Sequence, residues 1–224
     1  MLPGASHTDA RLPTVPAPTD HPAVRRVLSA AERKGVELEI VVFDESTHTA
    51  EQAAAAVGGE LGQIVKSLVF VAPADDGPEP IVCLVSGQNR VDLARLAAVT
   101  SEPEIRRATA REANDLVGFT IGGIPPFGFE RPVRVIMDPD LGRYTTVWAA
   151  AGLPTAVFEV PPATLRTLAN ATVAPISEER RAADVEAEAA RVASAADVAA
   201  DAAGDPEAAA DDDATASPVA STGA

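Results

Sequence analysis

The chain has 224 residues, 46% hydrophobic and 23% charged, enough for one domain with a sizeable core. Its formal charge of -15 argues against a basic face that grips a long stretch of nucleic-acid backbone, although the acidity is uneven: from Ser177 onward there are 3 Lys+Arg against 12 Asp+Glu. A lone cysteine, Cys83, excludes an internal disulfide, no Cys/His spacing resembles a metal site, and no segment offers about 18 uninterrupted apolar residues, so a cytoplasmic protein without metal, cofactor or membrane is expected.

Residues 1 to 20 are rich in Pro, Thr and Ala without periodicity, lack the pattern of a signal peptide, and are expected to be disordered. Pro22 opens a helix that places Val24, Val27, Leu28 and Ala31 on one face and stops at Gly35. LEIVVF, Leu38 to Phe43, reads as a strand, and Thr49 caps the short alanine-rich helix that ends at Gly58 and Gly59. VKSLVFVA and PIVCLVS follow as two apolar strands joined through the turn residues of ADDGPEP. VDLARLAAV and EPEIRRAT read as two short helical segments.

After a loop rich in glycine and proline come the strand VRVIMD, the strands TTVWAAAG and TAVFEV with a turn at Gly152 and Pro154, and the closing helix PATLRTLAN. Hairpins mixed with helices define an α+β class with a mixed, barrel-like β-sheet flanked by helices, over residues 21 to 178. Residues 179 to 224 form an acidic Ala/Asp/Glu-rich low-complexity tail with the run Asp211, Asp212, Asp213 and no aromatic residue.

Candidates for chemistry are few. His7 and His21 lie at the N-terminal edge, and His48, farther inside the domain, sits in a turn-like segment, where a surface role is the plainer reading; Cys83 lies in an apolar strand and reads as a small buried hydrophobe. Tyr144 and Trp148 read as packing residues, and no phosphate-binding Walker loop is present. Lys66 is less ordinary. Strand alternation puts it on the face of Leu68 and Phe70, with Val65, Val69 and Val71 opposite, so a lysine stands in a largely apolar strand. It either snorkels to water from the strand entrance or lines a pocket as a compact cation for an anionic or carbonyl oxygen.

The loop GFTIGGIPPFG, Gly118 to Gly128, holds four glycines and two prolines in eleven residues. Gly122 and Gly123 permit close approach to bare amides, whereas Pro125 and Pro126 fix the chain after them. Such a curve suits either a tight structural turn or a backbone nest for an anion or hydroxyl.

VKSLVF with Lys66, SGQNRVDLARLA, GFTIGGIPPFG, and VWAAAG followed by ATVAPISE together resemble the YbaK/EbsC family, free-standing relatives of the editing domain of bacterial prolyl-tRNA synthetases. The similarity runs from about residue 22 to residue 178. It implies an α+β domain with a mixed, barrel-like sheet and the activity of a trans-editing aminoacyl-tRNA deacylase, which hydrolyses the ester between a wrong amino acid and the 3′-terminal adenosine of tRNA. On that resemblance Lys66 matches the functional lysine, and Gly122 to Pro126 matches the G-x-x-x-P loop. Lys66 is therefore expected to be catalytic and Gly122, Gly123, Ile124, Pro125, Pro126, Phe127 and Gly128 to bind substrate.

An aminoacyl ester is already activated, so a positioned water and a stabilised oxyanion suffice, without a metal or a triad. The branch that cleaves Cys-tRNA has Ser near Pro125, Tyr near Phe43 and Asp near Val157; with all three polar groups missing, cysteine specificity does not carry over, and an apolar pocket bordered by Ile124 and Phe127 is expected to suit a small amino acid such as Ala, Ser or Thr. The expected partners are the tRNA acceptor end and, for discrimination among tRNAs, an aminoacyl-tRNA synthetase. A noncatalytic module that binds aminoacyl-adenosine or docks to a synthetase is the alternative.

Overall fold

The computed structural model describes residues 20–43 and 49–178; most of the expected N-terminal disordered segment, the turn with His48 and the whole acidic tail lie outside them. The first helix, α1 (Pro22–Glu32), starts on Pro22 with His21 as N-cap, and it buries Val24, Val27 and Ala31 as the 3.6-residue spacing requires. Strand β1 (Ile40–Val42) follows, then α2 (Ala50–Val57), where Thr49 and Gln52 form a reciprocal capping box and Gly58 closes the helix in the left-handed conformation.

The apolar pair forms the antiparallel hairpin β2 (Val65–Ala72) and β3 (Glu79–Ser86), in register from Val65 opposite Ser86 to Ala72 opposite Glu79. Beyond it, α3 (Leu93–Thr100) is capped by the Asp92 carboxylate, which accepts from the amides of Ala94 and Arg95. The segment EPEIRRAT is not the short helix expected from the sequence. Its Arg106–Arg107 stretch is a two-residue strand, β4, paired antiparallel to Val71 and Phe70 of β2. The helix starts immediately afterwards as α4 (Ala110–Val117), where Thr109 and Glu112 form a capping box that sets its true first turn.

The remaining elements are β5 (Arg134–Met137), β6 (Val147–Leu153), β7 (Ala156–Val160), α5 (Pro162–Ala169) and a short β8 (Thr172–Val173). Strands β1, β7 and β6 make one antiparallel sheet; β4, β2, β3, β5 and β8 make a mixed one, parallel from β3 through β5 to β8. The curl expected of a barrel takes the form of these two sheets meeting at a single parallel bridge, Ile64 to Trp148. The α+β class with a mixed sheet is the one expected.

Strand β3 shows why its whole sequence is apolar: Val82 and Leu84 join the main core, whereas Ile81, Cys83 and Val85 join a second core under α3. Strand β2 divides in the same way, with Val65 and Val69 in the main core and Phe70 and Ala72 in the second. Its first half, Lys66 to Leu68, is only partly buried and lines a cavity.

Candidate active site

Just past the Ile64–Trp148 bridge the two sheets part, and a cavity of about 260 Å³ opens between β2, β6, α2 and the glycine/proline loop. Lys66 and Ser67 come from β2, Ile121, Gly122 and Ile124 from the loop, and Trp148 from β6. Ala50, Ala53 and Val57 of α2 form an apolar far wall, and Arg107 of β4 reaches the rim. The size suits a small acyl group rather than a large cofactor. Among the described residues no cluster of three or more His, Cys, Asp or Glu side chains is placed to hold a metal ion.

Lys66 is partly buried, and its Nζ donates to two main-chain carbonyls, Gly87 at 2.8 Å and Asn89 at 2.5 Å. An ammonium has three donors, so one N–H remains for a ligand. The carbonyls are themselves held in place. A Cβ at Gly87 would lie 2.2 Å from the Leu61 carbonyl oxygen, so only glycine lets the two backbones meet there. Ser86 Oγ donates to the Gly62 carbonyl at 2.8 Å, and Asn89 Nδ2 donates to Asp140 Oδ2 at 2.8 Å. Burial is the main cause that pushes the Lys66 pKa below the usual lysine value; the Glu51 carboxylate works against it, and the Arg90 and Arg107 cations add to it. A lysine tethered in this way is a fixed positive charge rather than a side chain reaching for water.

Opposite Lys66, the loop is set by close approach. Gly122 has φ +91 and is exposed at the cavity, whereas Gly123 through Phe127 are buried. At Gly123 an added Cβ would lie 2.7 Å from the Leu153 carbonyl carbon, so the loop lies directly against the end of β6. The Gly123 amide donates to the Thr120 carbonyl at 3.0 Å, which closes a turn and removes that amide from any nest. The Gly122 amide has no partner among the described residues.

The expected site residues therefore separate into two groups. Lys66, Gly122 and Ile124 line one cavity; Gly123, Pro125, Pro126, Phe127 and Gly128 stand behind it. Phe127 is turned into the main core, its ring 5.6 Å from that of Phe158, so it supports the loop and does not line the cavity.

Ser67, Trp148, Ile121 and Arg107 line the cavity without having been expected there. Trp148 carried a signal, as the sole tryptophan within a small-residue strand, but packing explained it equally well. Ser67 is the more informative addition: its Oγ is buried and has no hydrogen-bond partner among the described residues, an arrangement that costs about 1–3 kcal/mol until something satisfies it. Val157 lines the cavity with an apolar side chain.

A model of the aminoacyl-tRNA editing domain family matches residues 44–168, more than half of the chain, and the chain belongs to that family. By class it is an aminoacyl-tRNA deacylase, an ester hydrolase. Among its relatives, the uncharacterized protein YwhH of Bacillus subtilis (strain 168) is 31% identical over 126 residues, 56% of this chain and 78% of the relative. The multifunctional Ser/Thr-tRNA deacylase ProXp-y of Escherichia coli (strain K12) is 25% identical over 130 residues, 58% of this chain and 77% of the relative. A crystal structure described as that of a candidate trans-editing enzyme for prolyl tRNA synthetase superposes with a TM-score of 0.64 at 45% identity, covering 70% of this chain and 98% of that one.

Proposed function

We propose that this protein edits in trans, hydrolysing the ester between a small, hydroxyl-bearing amino acid, serine or threonine, and the 3′-terminal adenosine of a mischarged tRNA. The observation that carries the reading is the tethered ammonium of Lys66 on one wall of a small cavity whose facing wall is the Gly122–Ile124 turn. In the reaction, water attacks the ester carbonyl carbon, the carbonyl oxygen becomes an oxyanion, and the C–O bond to the ribose breaks to free the amino acid and the adenosine hydroxyl. The remaining N–H of Lys66 meets the carbonyl oxygen as its charge grows, and it gains most in the transition state. The free Gly122 amide orients the substrate hydroxyl or the attacking water, and the proton released by that water passes to the substrate's own amine and from there to the departing ribose oxygen.

Two observations favour serine and threonine over alanine. Among mostly apolar residues the cavity lining carries the polar side chains of Thr49, Lys66 and Arg107, which suit a hydroxyl on the substrate. A relative that this chain matches over 77% of its length is named a Ser/Thr-tRNA deacylase. The polar groups that the Cys-cleaving branch carries near Phe43, Pro125 and Val157 are missing here, so cysteine specificity does not carry over. The tRNA acceptor end is the macromolecular partner, and a synthetase, prolyl-tRNA synthetase by analogy with the matched structure, is the partner that selects the tRNA.

The test is deacylation of preformed Ala-, Ser-, Thr- and Cys-charged tRNAs by the wild type and by Lys66→Ala. Loss of Ser- and Thr-esters that falls about 10²–10³-fold in the variant is expected. Binding of these tRNAs without acceleration of any ester would make the protein a recognition module instead.

A further inference from the structure

Lys66 and Leu68 have a second open side. A groove of about 420 Å³ lies there, and it shares Lys66, Leu68 and Arg107 with the cavity. Arg90, directly after the β3 turn, and Leu93, at the start of α3, complete its cationic and apolar rim. Glu178 is the one acid that lines it, against three basic residues, and its amide is bonded to the Arg90 carbonyl at 2.9 Å.

The arginines elsewhere show why this groove is unusual. Between Arg90 and Arg143 the chain has eight arginines against eight acids. Arg95, Arg106, Arg111, Arg134 and Arg143 are each paired with a carboxylate, and Arg131 donates to the Leu116 carbonyl. Arg90 and Arg107 have no ion pair among the described residues, and both are exposed. In a protein of charge -15, the two unneutralised arginines of this region thus converge on the same groove, next to a lysine that has no carboxylate bonded to it. Three like charges held together repel one another and are relieved by an anion. Beside them Leu93 is 46% exposed, an apolar surface at the height of the arginines.

We propose that this groove holds the single-stranded nucleotides that precede the terminal adenosine, with Arg90 and Arg107 on their phosphates and Leu93 against a base. The inference rests on the deacylase reading above and extends it from the acyl group to the strand. The substrate then straddles Lys66: its acyl group lies in the apolar cavity and its phosphodiesters in the cationic groove. Only the unpaired tip of the acceptor has backbone free to enter such a short groove with its bases splayed.

The experiment measures binding of an uncharged CCA oligoribonucleotide, adenosine and inorganic phosphate to the wild type, Arg90→Gln and the Arg90→Gln/Arg107→Gln double variant across a salt series. Melting curves check that the variants remain folded. The oligonucleotide should bind the wild type more tightly than either small probe. The double variant should lose about tenfold or more of that affinity, and its log–log salt slope should fall by about 1.4, near 0.7 for each phosphate that is no longer neutralised. In deacylation, the drop in kcat/KM should be larger on aminoacyl-tRNA than on an aminoacyl-adenosine ester, which has no internucleotide phosphate.

Affinity and salt slope unchanged in a folded double variant would overturn the proposal, as would phosphate binding as tight as the oligonucleotide's. If the wild type bound the oligonucleotide through Arg90 and Arg107 yet hydrolysed no ester, the groove would stand and the deacylase reading would fall.

Discussion

The substitution Gly123→Ala tests whether the loop is shaped by its contact with β6. A methyl group at this position would lie 2.7 Å from the Leu153 carbonyl carbon, 2.8 Å from its Cα and 3.0 Å from its nitrogen. Comfortable carbon–carbon contact begins at about 3.5 Å, so loop and strand must separate by roughly 0.8 Å. Leu153 cannot swing aside, because the atoms concerned are backbone and the residue is paired with Ala156 of β7. Overpacking of this kind costs about 1–3 kcal/mol, or roughly 2–12 °C of Tm for a domain of this size. Gly122 and Ile124, which flank the substituted residue, both line the cavity and shift with it. A displacement approaching 1 Å at a catalytic wall lowers the rate by about 10²-fold. Thermal melts and Ser-tRNA deacylation rates would be compared with those of Gly142→Ala, where an added Cβ meets nothing within 4 Å and φ is ordinary. A Gly123→Ala protein with wild-type melting and wild-type rate would refute the claim that this approach builds the site.

Other substitutions probe the frame around the site. The buried Asp138 carboxylate accepts from the amides of Asp140 at 3.0 Å, Ile176 at 3.2 Å and Ser177 at 3.0 Å, so Asp138→Ala should cost about 3 kcal/mol or more, read from the urea midpoint. The Arg106 hydrogen bonds, followed by those from Thr109, lower the Glu112 pKa from 4.5 to about 2. Its stabilising effect is therefore fully present above about pH 4.5 and disappears as pH falls towards about 2; Glu112→Gln should flatten that arm of the urea-midpoint profile. Burial pushes the Cys83 thiol up to about 12, so a thiol reagent at about pH 8 should label it only as fast as the protein unfolds.

Much of the fold was legible because local signals and packing agree. Thr49, Gly58, Pro22 and Gly35 punctuate their elements where capping rules place them, and the apolar run of β3 reads as a doubly covered strand because it is one. Disagreement arose where a short segment depended on its neighbours. Arg106 and Arg107 have no strand pattern of their own and become β4 only by pairing with β2, while α4 is announced by Thr109 and Glu112 alone. Lys66 could be singled out because a lysine in an apolar strand is anomalous, but no pattern in the sequence reveals that Gly87 and Asn89 hold it. Arg90 and Arg107 were indistinguishable in sequence from the other arginines of their region. What separates them is the lack of an ion pair, a property of the folded surface.

Two walls of the cavity, β2 and α2, differ in the structure that supports them. Strand β2 is hydrogen-bonded to β3 along its whole length and to β4 near its end, and its side chains enter both major cores, so its amides should exchange with solvent only when the whole domain opens. Helix α2 has eight residues and buries little more than Ala53 and Ala54, in a small cluster with Ile64. Its amides should exchange through local opening, well before global unfolding. The fixed charge should thus lie in a part of the domain that opens late, whereas the cavity should widen where the helix opens locally. Adjustment to side chains of different size can take place on the helix side while Lys66 stays where it is.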